Sequence, residues 1–227
     1  MRTVRYNNND YYFVDSNDPS ANGSIFEIIE RDDYGLSEFS NLETAMIDIG
    51  ANHGVAAIIM AKQNPKSTIY AFEPDSRVFS KFIENIRINN ITNIVAECLA
   101  VSDSSDKTLE LMMHPAYSGG NTTCSHSDSF KSRFGNTEII HVKCISLDDI
   151  IMKHNIKNIG LLKIDCEGAE YDVLFSSQKF REHIVGNIVG EYHNLSYNTK
   201  CKNNSDELTE YTNKYVSGIK KITYLTL

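Results

Sequence analysis

The chain of 227 residues has no C-x-x-C pair and no basic run longer than Lys220-Lys221. It also has no apolar stretch near the roughly 20 residues that span a bilayer. Each absence removes a class of protein. The five cysteines, at positions 98, 124, 144, 166 and 201, are odd in number and widely spaced, which argues against a disulfide framework and against a zinc knuckle. They are expected as reduced packing residues. A formal charge of −8 opposes nonspecific attraction to phosphate backbones, so no nucleic-acid partner is expected. The opening MRTVRYNNNDYYFV is too polar for a secretory signal, and the expectation is a cytoplasmic chain. No internal repeat is present. The length suits an N-terminal arm with a covering helix (1–44) ahead of one α/β domain with a sizeable core (45–227).

What the chain does have is organised around AMIDIGANHG, residues 45–54. An apolar run with one acid, Met46-Ile47-Asp48-Ile49, enters Gly50-Ala51-Asn52-His53-Gly54, and Val55 to Met60 then has the length and alanine content of a helix. The pattern is strand, tight glycine turn, helix. Gly50 reaches backbone angles closed to other residues, and Gly54 lets the helix sit close to the strand, so a ligand can lie against bare peptide. Two glycines four apart also occur in ordinary turns, and the next strand is what singles this one out. Ser67 to Phe72 reads as a buried parallel strand ending in Glu73-Pro74-Asp75. That acid, about 20 residues beyond the turn, can accept hydrogen bonds from both hydroxyls of a ribose, its partner being ligand and not protein. Position 52 is Asn, so the three-glycine dinucleotide pattern is absent, which favours a nucleoside cofactor without phosphates.

Before this stretch, Tyr11 to Val14 reads as a short strand, Asp18-Pro19-Ser20 as a turn, and Ser24 as the cap of a helix through Ile29, with Glu27 completing a capping box. After it, residues 77–88 show apolar positions at helical spacing and stop at Asn89-Asn90. Residues 93–101 read as a third strand, whose carboxyl end brings Ala100 and Val101 to the same crevice, where they can pack on an adenine. Asp103, in the following turn, can hydrogen bond the ring amine or simply cap the turn.

Two further strands, 108–113 and 138–143, flank a long polar excursion that holds His114 and His126. Ser146 caps a short helix with Asp148-Asp149 in its first turn. Residues 159–164 form a fourth strand ending at Asp165-Cys166-Glu167, with Glu167 opening the next helix, and 184–190 a fifth ending at Glu191-Tyr192-His193. Neighbouring strand ends thus gather Asp165, Glu167, Glu191 and His193 near one point. An amphipathic helix from Asp206 and a sixth strand over 219–227 complete the chain.

DIGANHG, FEPD, LAVSD at 99–103, SLDD at 146–149 and KIDCEGAE at 163–170 together resemble FkbM-type methyltransferases, in order from about Ser24 to His193. The resemblance implies a class I Rossmann-like α/β three-layer sandwich, a mostly parallel sheet with helices on both faces. It also implies S-adenosylmethionine as cofactor, and methylation of hydroxyl oxygens. The Gly119-Gly120-Asn121-Thr122 stretch matches a small-residue loop of that family and is expected to face the substrate. The usual sheet has a seventh strand, and none is evident here, leaving that edge missing, truncated or supplied from elsewhere.

Methyl transfer from a sulfonium is an in-line displacement, so a poorly acidic acceptor hydroxyl needs orientation and a base. Asp165 and His193 are the candidates, with Glu191 holding the imidazole tautomer. The rival chemistry is metal-assisted: Asp165, Glu191 and Glu167 supply oxygen ligands suited to magnesium, a role the residue types permit without demanding. Lys163 and Glu170 read as a strand-end cation and a helix acid. A nicotinamide oxidoreductase is disfavoured by the missing third glycine, and a nonenzymatic nucleoside-binding protein remains a third class. The acceptor is expected to be a sugar, glycan or small metabolite.

Overall fold

Six parallel strands form the centre of the computed structural model, which describes residues 1–14, 17–123, 135, 137–194 and 205–226. Their order is β12 (Lys220–Thr226), β11 (Val185–Asn194), β10 (Ile159–Ile164), β3 (Ala45–Ile49), β4 (Ile69–Phe72) and β5 (Ile94–Glu97). Each is parallel to its neighbours. Successive side chains of a strand point to opposite faces, so Met46 and Leu161 join one core while Ile47, Ile49 and Leu162 join the other. The first face carries α2 (Val55–Gln63) and α3 (Ser76–Ile88). The second carries α4 (Leu147–Lys153), α5 (Glu170–Ser176), α6 (Gln178–Arg181) and α7 (Ser205–Tyr215). No seventh strand joins this sheet among the described residues, and its outer edge is the parallel β12.

Every residue of α2 from Val55 to Ala61 is buried, because a helix apolar all round must be covered all round. The N-terminal segment does the covering. It is a hairpin, β1 (Arg2–Tyr6) and β2 (Asn9–Phe13), turned by Asn7 and Asn8 at φ 46° and 61°, a region asparagine tolerates. Tyr11 and Phe13 pack in the same core as α2. The free edge of β2 is satisfied by α3: Tyr12 N donates to Asn89 Oδ1 (3.0 Å) and Val14 N to Asn85 Oδ1 (2.9 Å).

Local readings differ from the structure at three places outside the site. Asp18-Pro19-Ser20 is not a turn but the start of α1 (Pro19–Ile25), where Asp18 accepts from Ser20 N and proline suits the first helical position. Ser24 therefore lies inside the helix, which runs on into a π-helical turn over Phe26–Glu30. Residues 93–101 divide: β5 stays in the main sheet, while β6 (Ala100–Ser102) leaves it to pair with β9 (Glu138–Ser146). Gly119 to Thr122 is not a loop but part of β8 (Tyr117–Thr122), paired antiparallel with β7 (Thr108–His114). These form a second sheet in the order β6-β9-β7-β8. His126 lies outside the described residues. Among the described residues, no helix is long and apolar enough to cross a membrane.

Candidate functional site

A cavity of about 430 Å³ lies over the carboxyl ends of β3, β4, β10 and β11. Its roof is β8 with α1, and short polar contacts join the two roof elements to each other and the roof to the floor. Ser118 Oγ meets Ser20 Oγ at 2.7 Å, Asn121 Nδ2 donates to Asp75 Oδ2 (3.1 Å), and Thr122 Oγ1 donates to the carbonyl of Glu167 (2.6 Å). The stretch expected to face a substrate is thus a strand lining the cavity.

Of the residues expected to hold a cofactor, Gly50, Ala51, Asn52, Glu73, Pro74, Ala100 and Val101 line this cavity. Gly50, at φ 76°, is demanded by its surroundings, since a Cβ there would lie 1.8 Å from the Asp165 carbonyl oxygen. Glu73 is 7% exposed. Its two oxygens each accept a backbone N–H, Oε2 from Asn52 (2.9 Å) and Oε1 from Asp75 (2.9 Å). Glu73 therefore has protein partners after all, clamping the two turns together, while the second lone pair of each oxygen remains for a ligand. Burial pushes its pKa up to about 7, against the pull of those two N–H donors.

Asp48, His53, Gly54 and Asp103 do not line the cavity. Asp48 is fully buried beneath it and pairs with Lys163 Nζ at 3.2 Å. His53 is buried, its carbonyl accepting from Asn85 Nδ2 (2.9 Å). Gly54 is needed for contact with α3, not with the strand, because a Cβ there would strike the Phe82 ring at 1.9 Å. Asp103 caps its own turn, bound to Lys107, Ser102 and Ser104, with its carboxyl held below the usual range chiefly by the Lys107 hydrogen bond.

Asp165, Glu167, Glu191 and His193 do meet at the other side of the cavity. The reason lies in β11, which pairs with β10 only as far as Gly190 and continues to Asn194 on β12 alone. Beyond Gly190 its edge is free, and Glu191 and His193, two apart, face the same way. His193 is 1% exposed among four carboxylates. Its Nδ1 lies 3.0 Å from Glu170 Oε1, and its Nε2 lies 3.5 Å from Glu167 Oε2, 3.5 Å from Glu191 Oε2 and 4.0 Å from Asp165 Oδ1.

The expected tautomer-holding role of Glu191 thus falls to Glu170. That acid is itself fixed by the backbone N–H groups of Cys166 (2.9 Å) and Gly168 (3.0 Å). Glu167 does not open a helix, which starts at Glu170, but sits at φ 55° in the turn before it. Burial alone would lower the His193 pKa, yet Glu170, Glu167 and Asp165 hold it up at about 10, so the ring is an imidazolium near neutrality and not the free base expected of it. Glu167 and Glu191 are both raised, first by burial.

Two residues passed over in the sequence complete the site. Lys163, 3% exposed, donates to the Gly50 carbonyl (2.7 Å) and lies 3.8 Å from Asp165 Oδ2. Desolvation lowers its pKa, but Asp48 and Asp165 raise it further, so it stays charged. Tyr34 OH donates to Asp165 Oδ2 at 2.8 Å, and no local pattern marks a loop tyrosine 131 residues away as its partner.

Among curated proteins, the chain is 29% identical over 170 residues to a protein named Methyltransferase 1 of Beauveria bassiana, covering 70% of this chain and 68% of that one. It is 28% identical over 171 residues to the 31-O-demethyl-FK506 methyltransferase FkbM of Streptomyces tacrolimicus, covering 66% and 65%. The chain spans about two thirds of the length of the curated relatives it matches. Among solved structures, an rRNA methylase from Streptococcus thermophilus superposes with a TM-score of 0.41 at 12% identity, over 81% of this chain and 76% of that one. The parallel sheet with helices on both faces is the class I methyltransferase architecture, and residues 48–216 match the methyltransferase FkbM domain, so the protein belongs to the FkbM methyltransferase family.

Proposed function

We propose that the protein transfers a methyl group from S-adenosylmethionine to a hydroxyl of a sugar, glycan or small metabolite in the cytoplasm. The observation that carries this reading is the convergence of two unlike ends on one cavity, a buried carboxylate at the tip of β4 and an acidic cluster at the tips of β10 and β11. The residues fit an adenosyl cofactor. Glu73 presents fixed oxygens for ribose hydroxyls, and Phe72, Leu99, Ala100 and Val101 offer an apolar wall for a flat ring. The volume falls in the range for ligands of this size. S-adenosylmethionine, when bound, supplies an electrophilic methyl on a sulfonium.

The chain's own residues then orient and deprotonate. Asp165, steadied by Tyr34 and Lys163, takes up the proton of the acceptor hydroxyl, with Glu191 beside it. His193 and Glu167 position the acceptor, and Ser118, Asn121 and Thr122 of the roof give it polar contacts. A relative named for methylating an oxygen supports the O-directed reading. Calorimetric titration tests the proposal: S-adenosylmethionine or its demethylated product binds and NAD does not. Binding of NAD alone, or of neither, overturns it.

A further inference from the structure

We propose that the acceptor carries a protonated amine beside its hydroxyl, as in an amino sugar or amino alcohol, and that the acids at the β10 and β11 end of the cavity bind it. This names the substrate class of the methyl transfer proposed above and rests on that reading. The argument starts from the balance of charge. Among the described residues three cations face the cavity, Arg31, Lys163 and His193. Each is already met by an acid: Arg31 by Asp33 at 3.2 Å, Lys163 by Asp48 at 3.2 Å, and His193 by Glu170 at 3.0 Å. Asp48 and Glu170 are fully buried and lie behind the cavity wall. Four further carboxylates, Glu27, Asp165, Glu167 and Glu191, face the same space and are left in excess. S-adenosylmethionine brings one net positive charge, its ammonium being balanced by its own carboxylate, so the cofactor alone does not match them.

Acids in excess are by themselves a solvated surface, but these surround an atom without a partner. His193 is 1% exposed, and its Nε2 makes no hydrogen bond while Nδ1 is held by Glu170. Glu167 Oε2 and Glu191 Oε2 lie 3.5 Å from Nε2, and Asp165 Oδ1 lies 4.0 Å away, beyond hydrogen bonds of ordinary strength. A buried donor left unpaired is costly. The charged ring carries a hydrogen on Nε2 and takes an oxygen lone pair, whereas ionised carboxylates take only donors. A hydroxyl next to an ammonium supplies both in one small molecule.

The spacing also separates an organic cation from a metal. The magnesium chelate expected from Asp165, Glu167 and Glu191 does not close, because the donors that come within 4.8 Å of one another among the described residues belong to Asp165, Glu170 and His193. Glu170 is already taken by the amides of Cys166 and Gly168. Carboxylates ranged around a space suit N–H donors that point in several directions. Burial first, and neighbouring acids in addition, push Glu27, Glu167 and Glu191 up, so protons stand where a cation is missing. The charge further directs the chemistry. An ammonium has no lone pair, so the neutral hydroxyl beside it attacks: its oxygen bonds to the methyl carbon, its proton passes to Asp165, and the sulfur–methyl bond breaks with its electron pair left on sulfur.

The test measures two matched pairs by saturation-transfer nuclear magnetic resonance at pH 7, glucosamine against glucose and trans-2-aminocyclohexanol against trans-1,2-cyclohexanediol. Each is measured with and without the demethylated cofactor. In at least one pair the amine should bind about tenfold or more tightly than its neutral partner. Glu27→Gln and Glu191→Gln should each lower that ratio about threefold or more, while the exposed Glu43→Gln changes nothing. Failure of both amines to bind more tightly than their partners, or a ratio unchanged in both cavity variants, overturns the inference. A preference that the demethylated cofactor abolishes puts the amine in the cofactor's own seat and also overturns it. Failure of S-adenosylmethionine to bind leaves the amine preference measurable on the unloaded protein, and failure of the preference leaves the Glu73 end of the cavity untouched.

Discussion

Acidification should loosen the cofactor through one side chain, Glu73. Its carboxylate is poised at about 7 because burial opposes ionisation while the Asn52 and Asp75 amides favour it. Only the ionised form can accept from two backbone amides and two ribose hydroxyls together, since a protonated oxygen becomes a donor. Between about pH 8 and about pH 6 the ionised fraction falls from roughly nine tenths to roughly one tenth, a loss of about tenfold in affinity or about 1.4 kcal/mol. Glu167 and Glu191 titrate elsewhere in the cavity, so the comparison is with Glu73→Gln. The ratio of variant to wild-type dissociation constants for S-adenosylmethionine, from calorimetry, should be about tenfold larger at pH 8 than at pH 6. A ratio that does not change with pH refutes the reasoning.

Unfolding cannot mimic this effect. A carboxyl whose folded pKa is raised contributes stability that is full below its ordinary value and lost as pH rises through about 7, so acid stabilises the fold through Glu73 while weakening the ligand. Glutamine is preferred to alanine because alanine would strip both amides of their acceptor, costing about 1–3 kcal/mol for each buried group.

Four other substitutions test the fold and the site. Gly50→Ala drives a Cβ into the Asp165 carbonyl and should cost about 3 kcal/mol or more in urea unfolding, whereas Gly23→Ala, with nothing within 4 Å, should gain about 0.5–1 kcal/mol. A neutral outcome at position 50 would mean that the β3 and β10 tips do not approach as described. Asn89→Ala removes the acceptor for Tyr12 N and the donor to its carbonyl, and should lower stability by about 1–3 kcal/mol through loss of the hairpin. Unchanged resistance of residues 2–13 to proteolysis would contradict that role. His193→Ala should misplace the acceptor and reduce kcat about 100-fold with little change in the dissociation constant of S-adenosylmethionine. Equal losses in both would make the residue structural.

The family and the meeting of strand tips at one cavity were legible because their signals are local. Strand, glycine turn and helix follow one another within residues 45–63, and FEPD and KIDCEGAE place acids at strand tips by chain order alone. Where one stretch supports two conformations, the local signal was insufficient. Asp18-Pro19-Ser20 suits a turn or a helix start, and residues 93–101 are apolar whether they serve one sheet or two. Gly119-Gly120 reads as a loop because it lies in a long polar excursion and matches a small-residue loop of the family, but Ser118, Asn121 and Thr122 make contacts from β8 that hold it over the cavity.

By itself the sequence determined the alternation of strands and helices, the glycine turn, and which acids end the strands, since these depend on side-chain size and periodicity over a few residues. Only the tertiary structure decided that Glu170 and not Glu191 grips His193, that Glu73 clamps two turns, and that Tyr34 steadies Asp165. The physical reason is burial. Inside the fold a charge must find its partner among groups far apart in the chain, and which groups are near is fixed by how the sheet ends.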